Sequence, residues 1–326
     1  MDLIIGIDIG GTNLKVGLVH PDGQILQHQS VPTSTTSTLP DFFELIASQI
    51  KALLEQLGMT AADLLGIGIG APGHSLNSGI ILEAVNLPFK TEIPIGPFLE
   101  ERFGVPVVLR KDAKAAAMGE KFWGAGQSTD HFTLLMLGTG LGYASYSDGK
   151  IIDGYQGLAG EYGHTILKRG GRKCNCGKSG CLETYLSATG LKRTAVELLA
   201  IDNRSSALRD YTYHQINTKL IAALAKEGDV LSREAFQLTG EYLGWQIANL
   251  CEQLTPELFI LAGGLVQAGD LLIEPAKAFL REHVQAVYRD RMRIQTSSLG
   301  ASEVGILGAA ALILDQHHFS TITRKH

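Results

Sequence analysis

The sequence predicts a two-domain α/β fold built on a repeated strand unit. One apolar run, Leu3 to Ile9, ends in Gly10-Gly11-Thr12, and a second, Phe132 to Leu137, ends in Gly138-Thr139-Gly140. In each case a further strand, an Asp-Gly turn and a third strand follow, so Asp22-Gly23-Gln24-Ile25 aligns with Asp148-Gly149-Lys150-Ile151. A single Asp-Gly match carries little weight, but agreement of the whole block reads as a trace of internal duplication. The 326 residues are enough to bury two cores.

Leu3 to Ile9 is a short, nearly continuous apolar run and reads as a buried strand feeding a tight turn. Strands over Val16 to His20 and Gln24 to Val31 follow, separated by Pro21-Asp22-Gly23. From Pro40 to Gly58 the residues Phe42, Ile46, Ile50, Leu53 and Leu57 recur at helical spacing, with Asp41 and Glu44 in the first turn and Gly58 at the stop. A strand over Leu65 to Ile69 runs into Gly70-Ala71-Pro72-Gly73. After the second strand unit come a buried strand over Leu258 to Leu261 ending in Gly263-Gly264, an amphipathic helix over Leu271 to Tyr288, and a small apolar helix over Gly305 to Leu314.

Composition narrows the function. A formal net charge of −5 argues against a nucleic-acid surface. No apolar run reaches the roughly 18 residues a membrane span needs. The opening Met-Asp-Leu-Ile-Ile has neither a basic segment nor a cleavage site, so the reading expects no signal peptide and a cytoplasmic protein. Of four cysteines, Cys174, Cys176 and Cys181 fall within eight residues, and that clustering reads as metal binding and not as a disulfide framework.

The strongest chemical signal is Gly163-His164 followed by Cys174-Asn-Cys176-Gly-Lys-Ser-Gly-Cys181-Leu-Glu183. Three thiolates and one imidazole fit tetrahedral zinc, and four protein ligands close the shell, so the ion is expected to be structural. Gly10-Gly11-Thr12 after Asp8 suits backbone contact with an anion, and Asp8 suits a hydrated magnesium ion; a plain glycine hairpin fits the same residues. Gly138-Thr139-Gly140-Leu141-Gly142 repeats that logic, and two such loops facing one another would grip a triphosphate. Gly263-Gly264 admits an adenine ring against the backbone, or only a βα turn. There is no P-loop, and the turn after the opening strand lacks GxGxxG. Asp112, at a strand-to-helix junction, reads by position first as an N-cap and second as a general base for a sugar hydroxyl.

Together these blocks resemble the ROK family (repressor, open reading frame, kinase) of the actin-like ATPase superfamily. The resemblance runs through DIGGTNLKVG from Asp8, GIGIGAPG from Gly66, KDAKAAAMGE from Lys111, GTGLG from Gly138, GEYGH from Gly160, CNCGKSGCLE from Cys174 and LAGG from Leu261. It implies a two-lobed actin-like (ribonuclease H-like) α/β fold with a duplicated βββαβ core and a structural zinc loop. The smaller lobe would comprise 1–117 plus 303–326 and the larger 118–302. It implies ATP-dependent phosphorylation of a hexose, glucose foremost, at the 6-hydroxyl, with an N-acetylhexosamine kinase or a weakly catalytic sugar-binding regulator as alternatives. Asp112 would be the catalytic base; Asn86, Lys111, Glu161, His164 and Glu183 would contact sugar, His164 using its other ring nitrogen on zinc. Asp8, Gly10, Gly11, Thr12, Lys15, Gly138, Thr139, Gly263 and Gly264 would hold the nucleotide, with His164, Cys174, Cys176 and Cys181 as metal ligands. ATP with magnesium, structural zinc and a homodimer follow from the same likeness.

The repressor branch carries a helix-turn-helix segment ahead of the first loop, and Asp8 leaves no room for one, so a kinase is expected. There are two departures from the family pattern. Family kinases usually carry Asn-Asp where this chain has Lys111-Asp112, which predicts a cation beside the base, an anionic sugar, or a lysine turned to solvent. Tyr143 replaces a common glycine and is expected to narrow the second loop.

Overall fold

A computed structural model describes residues 2–33, 38–82, 87–89, 91–300 and 303–323, with the backbone alone over 317–323. The strands are β1 Leu3–Ile9, β2 Asn13–Val19, β3 Ile25–Pro32, β4 Leu64–Ala71, β5 His74–Ser75, β6 Ile81–Leu82, β7 Val107–Lys111, β8 Phe132–Leu137, β9 Leu141–Ser147, β10 Lys150–Ile151, β11 Leu258–Ala262 and β12 Arg293–Thr296. The helices are α1 Leu39–Gln56, α2 Ile95–Phe103, α3 Asp112–Trp123, α4 Ala188–Ile201, α5 Thr218–Glu227, α6 Val230–Leu254, α7 Asp270–His283 and α8 Val304–Thr323.

The duplication read from the Asp-Gly turns is present in the sheets. One runs β3-β2-β1-β4-β7 and the other β10-β9-β8-β11-β12, so each is a three-stranded antiparallel meander extended by two parallel strands.

Two compact units share the chain. The first is Met1–Asp130, Ala144–Gly160 and Ser297–His326; the second is His131–Tyr143 and Glu161–Thr296. The expected boundary between 117 and 118 would cut α3, which is one unbroken helix packed on α8; α3 therefore stays whole in the first unit. The segment 144–160 also joins the first unit, where Asp153 and Gly157 bond to Lys114 of α3.

In the first unit β1 uses its two faces differently, as side chains on a strand alternate. Ile5, Ile7 and Ile9 join a core with Phe42, Ile46, Ile50 and Leu53 of α1. Thr38 starts α1, its Oγ1 accepting the Asp41 N–H, and Pro40 sits where no helical N–H is needed. The other face of the sheet is levelled by glycine: a methyl group at Gly6 would strike the Ile306 carbonyl, and one at Gly68 the Ala309 carbonyl. Backbone-to-backbone packing of α8 on the sheet depends on those missing side chains. β3, at the edge, alternates half-buried and exposed residues.

In the second unit α4 to α7 cover a core that includes Leu135, Leu137, Phe236, Leu243, Phe259 and Leu272. The helix expected over Leu271 to Tyr288 ends at His283, and a separate short turn covers Ala286–Tyr288. Among the described residues no helix is long and apolar enough to cross a membrane.

Candidate active site and metal centre

Strand β7 ends at Lys111, which caps α3, and Asp112 is the first helical residue. Asp112 Oδ1 accepts the Ala113 N–H at 2.7 Å. Asp112 is thus one residue past the N-cap position the sequence suggested, in the first turn of α3, where negative charge is favoured. Lys111 does not turn to solvent: it is half-buried, and its Nζ donates to the Gly160 carbonyl at 3.4 Å.

The ligand atoms of His164, Cys174, Cys176 and Cys181 all lie within 4.8 Å of one another. Cys174 Sγ is 3.6 Å from His164 Nδ1, and Cys176 Sγ is 3.6 Å from Cys181 Sγ. A tetrahedral shell with bonds of about 2.3 Å has edges of about 3.8 Å, so the four side chains are spaced for a zinc ion. Gly177 and Gly180 bend the loop with φ of 88° and 84°, a conformation that glycine adopts freely. Burial pushes the Cys174 thiol up to about 12 and raises Cys181 as well. At Cys176 burial pulls in the same direction but is outweighed by the Lys178 N–H and the neighbouring thiols, and its pKa falls. Three thiols this close suit a shared cation, because thiolates packed together without one repel.

With Nδ1 turned to the sulfurs, His164 directs Nε2 at Glu161, 3.8 Å from Oε2. Glu183 Oε1 lies 3.7 Å from Cys174 Sγ and Oε2 accepts the Leu141 N–H at 3.1 Å. The cysteine loop and the Gly138–Gly142 loop therefore meet through one carboxylate. That contact also explains Gly140, where any side chain would strike Glu183 Oε2.

The same loop rests on the start of α4. The Gly138 carbonyl accepts the Ala188 N–H at 2.9 Å and the Thr139 carbonyl accepts Thr189 Oγ1 at 2.8 Å, beside the positive end of a 14-residue helix. Gly263, at φ 95°, presses on the backbone of Leu137, while a Cβ at Gly264 would meet open space. In the first unit Gly10, Gly11 and Thr12 form the β1–β2 turn, closed by Gly10 N–H to the Asn13 carbonyl at 2.9 Å. Thr33 Oγ1 holds the Gly10 carbonyl at 2.8 Å, and Lys15 stands in register with Asp8. Burial pushes the Asp8 carboxyl above its usual range, and Lys15 opposes this. Asn86 lies outside the described residues.

The model of the ROK family matches residues 4–316.

The chain belongs to the ROK family.

Glucokinase of Halalkalibacterium halodurans is 35% identical over 96% of each chain. A crystal structure of a ROK family glucokinase from Streptomyces griseus in complex with glucose and AMPPNP has a TM-score of 0.79 at 32% identity, covering 95% of this chain and 98% of that one. Xylose repressor of Caldicellulosiruptor bescii is 28% identical over 95% of this chain and 78% of its own length. The paired five-stranded sheets are the actin-like ATPase fold of the ROK sugar kinases.

Beyond the predicted site residues, several others of this ROK chain carry site geometry. Arg172, two residues before Cys174, donates to the carbonyls of Thr184 and Gly190, pairs with Glu197 at 2.6 Å and stacks on Tyr185, so it braces the metal loop. Lys178 Nζ holds the His164 carbonyl at 2.8 Å. Tyr143 packs its ring on Tyr162, with centroids 5.1 Å apart, and Tyr162 OH donates to Gln246 at 2.8 Å. Lys114 is fully buried and bonds to Asp153 and Gly157. No pattern in the sequence marks these pairs, whose partners lie between 12 and 84 residues apart.

Proposed function

We propose that this chain is an ATP-dependent sugar kinase that transfers the γ-phosphoryl group to the 6-hydroxyl of a hexose, glucose foremost. The observation that carries this is the 35% identity to a glucokinase over 96% of both chains. Asp112, at the end of β7, accepts the proton of the attacking hydroxyl; phosphoryl transfer needs little else from a side chain beyond positioning and charge. Glu161, His164 and Glu183 hold sugar hydroxyls, and Asn86 and Lys111 add further contacts. Gly10, Gly11, Thr12 and Lys15 hold phosphates, as do Gly138 and Thr139, where the α4 N-terminus adds positive potential. Gly263 and Gly264 take the adenosine side. Magnesium accompanying ATP would neutralise phosphate charge, and Asp8 would help hold it.

His164, Cys174, Cys176 and Cys181 hold a structural zinc ion, which fixes the imidazole tautomer; Nε2 is then left to bond a sugar hydroxyl. A homodimer working in the cytoplasm completes the reading.

The test is sugar-dependent ADP release over a panel of glucose, mannose, fructose, N-acetylglucosamine, N-acetylmannosamine and anionic sugars, with Asp112→Ala alongside. Turnover in the wild type and its loss in the variant support the kinase and name the acceptor. A zinc-loaded, folded wild type that turns over no sugar points instead to a regulator, the role named for the xylose repressor relative.

A further inference from the structure

The segment Asp153–Gly160, whose next residue is Glu161, lacks an apolar anchor. Tyr155 is 83% exposed and Leu158 36% exposed, and of its eight residues only Gly157 is buried. Its backbone is also held in conformations that a loose chain would leave: Gly154, Gln156, Gly157 and Gly160 have φ of 66°, 55°, 86° and 111°. Gln156 is a non-glycine residue in that region, which carries a strain cost that surrounding contacts must offset.

Polar contacts from the β7–α3 junction hold the segment. The Lys114 ammonium has three N–H donors and three acceptors within reach: Asp153 Oδ1 at 2.9 Å, the Gly157 carbonyl at 2.9 Å and the Asp153 carbonyl at 3.3 Å. Arg110 Nε takes the other oxygen of Asp153 at 3.3 Å, and Lys111 Nζ takes the Gly160 carbonyl at 3.4 Å. The Asn77 N–H adds a bond to the Gln156 carbonyl at 3.4 Å. Lys114 and Asp153 also border a cleft of about 310 Å³, together with Met118, Ile151 and Leu312. The ammonium does for this strap what a bound cation does for a loop of carbonyl oxygens.

We propose that Lys114 is a positioning residue for the phosphoryl-transfer reaction: its buried ammonium fixes the 153–160 strap and so sets where Glu161 meets the sugar. This rests on Glu161 being a sugar ligand. Lys114 bonds to Asp153 and Gly157 and is assigned to no reacting group, so the role concerns sugar affinity.

Two variants separate positioning from bulk stability. Lys114→Met keeps the side-chain length but leaves Asp153 with Arg110 alone; Lys114→Met combined with Asp153→Asn removes the carboxylate that has lost its buried partner. In both, the sugar KM is expected to rise about tenfold or more while the ATP KM and the kcat at saturating sugar stay within about threefold. Lys114→Arg, which keeps the charge, is expected to recover part of the sugar affinity. Hydrogen exchange over 153–160 is expected to quicken in both Met variants.

A double variant with the wild-type sugar KM overturns the inference, as does unchanged exchange over 153–160 in Lys114→Met. The exchange result stands whether or not any sugar is turned over. A wild type inactive on every sugar sinks the kinase reading itself, and an active wild type with an unaffected Lys114→Met sinks only the role of Lys114.

Discussion

The Glu183 carboxylate accepts the backbone N–H of Leu141 at 3.1 Å. Its other oxygen stands 3.7 Å from the Cys174 thiol, so one side chain spans from the metal cluster to the loop after β8. A charge-assisted bond of this kind contributes about 1.5–3 kcal/mol. Glu183→Gln is therefore expected to lower kcat/KM by about tenfold to a hundredfold. The KM for ATP should move along with that for sugar, because the Gly138–Gly142 loop loses its tether. Steady-state kinetics with each substrate varied in turn checks this; a change confined to sugar contradicts it.

Asp112→Asn keeps the shape of the side chain and its acceptor for Ala113, and removes the proposed base. The kcat is expected to fall by about a hundredfold to ten-thousandfold, with sugar affinity by calorimetry close to the wild type. Comparable losses in both would mean that Asp112 binds more than it deprotonates.

Metal removal has two readouts. Purified protein is expected to hold about one zinc per chain by elemental analysis, and Cys176→Ser to hold much less. Loss of the ion frees the loop that carries Glu183 and the imidazole of His164, so activity and thermal stability fall together. Zinc-free protein with full activity would disconnect the cluster from catalysis.

Asp8 offers a stability test with a definite sign. Burial raises its folded-state pKa above the ordinary 3.8. The protein without nucleotide is thus favoured while Asp8 is protonated, and that contribution disappears as pH rises through the raised pKa. Asp8→Asn does not ionise, so its melting temperature is expected to exceed that of the wild type at neutral pH, with the gap closing on acidification. The same variant should lose activity. A gap that is constant with pH contradicts the burial argument.

Gly68→Ala puts a methyl group into the Ala309 carbonyl. The helix has to lift or the sheet has to bend, at a cost of about 1–3 kcal/mol, typical of an overfilled contact. Thermal melting of the variant checks this, with a fall of about 2–4 °C for each kcal/mol.

The local features of this fold were legible in sequence and the distant ones were not. Buried strands ending in Gly-Gly-Thr or Gly-Thr-Gly, and the Asp-Gly turns after them, are short-range patterns, and they disclosed both meanders. The His/Cys cluster was legible because three of its four members fall within eight residues. Lys114 reads in sequence as one more charge on an Ala-rich helix, and its partner Asp153 is 39 positions away. Arg172 and Glu197 meet across 25. The expected boundary at 117 failed for a related reason: the packing of Gly119 on Gly308 that keeps α3 with α8 leaves no local mark.

Helix α8 lies against Gly6 and Gly68, so the first strand rests on residues made about three hundred positions later. A nascent chain leaving the ribosome would carry β1, β2 and β4 for most of its synthesis with one face uncovered. The glycines that allow close packing in the finished protein leave that waiting face flat and poorly defended against other strands. This unit should depend on chaperones during translation more than its final stability suggests, and stop codons placed ahead of α8 should yield aggregates, not partly folded enzyme.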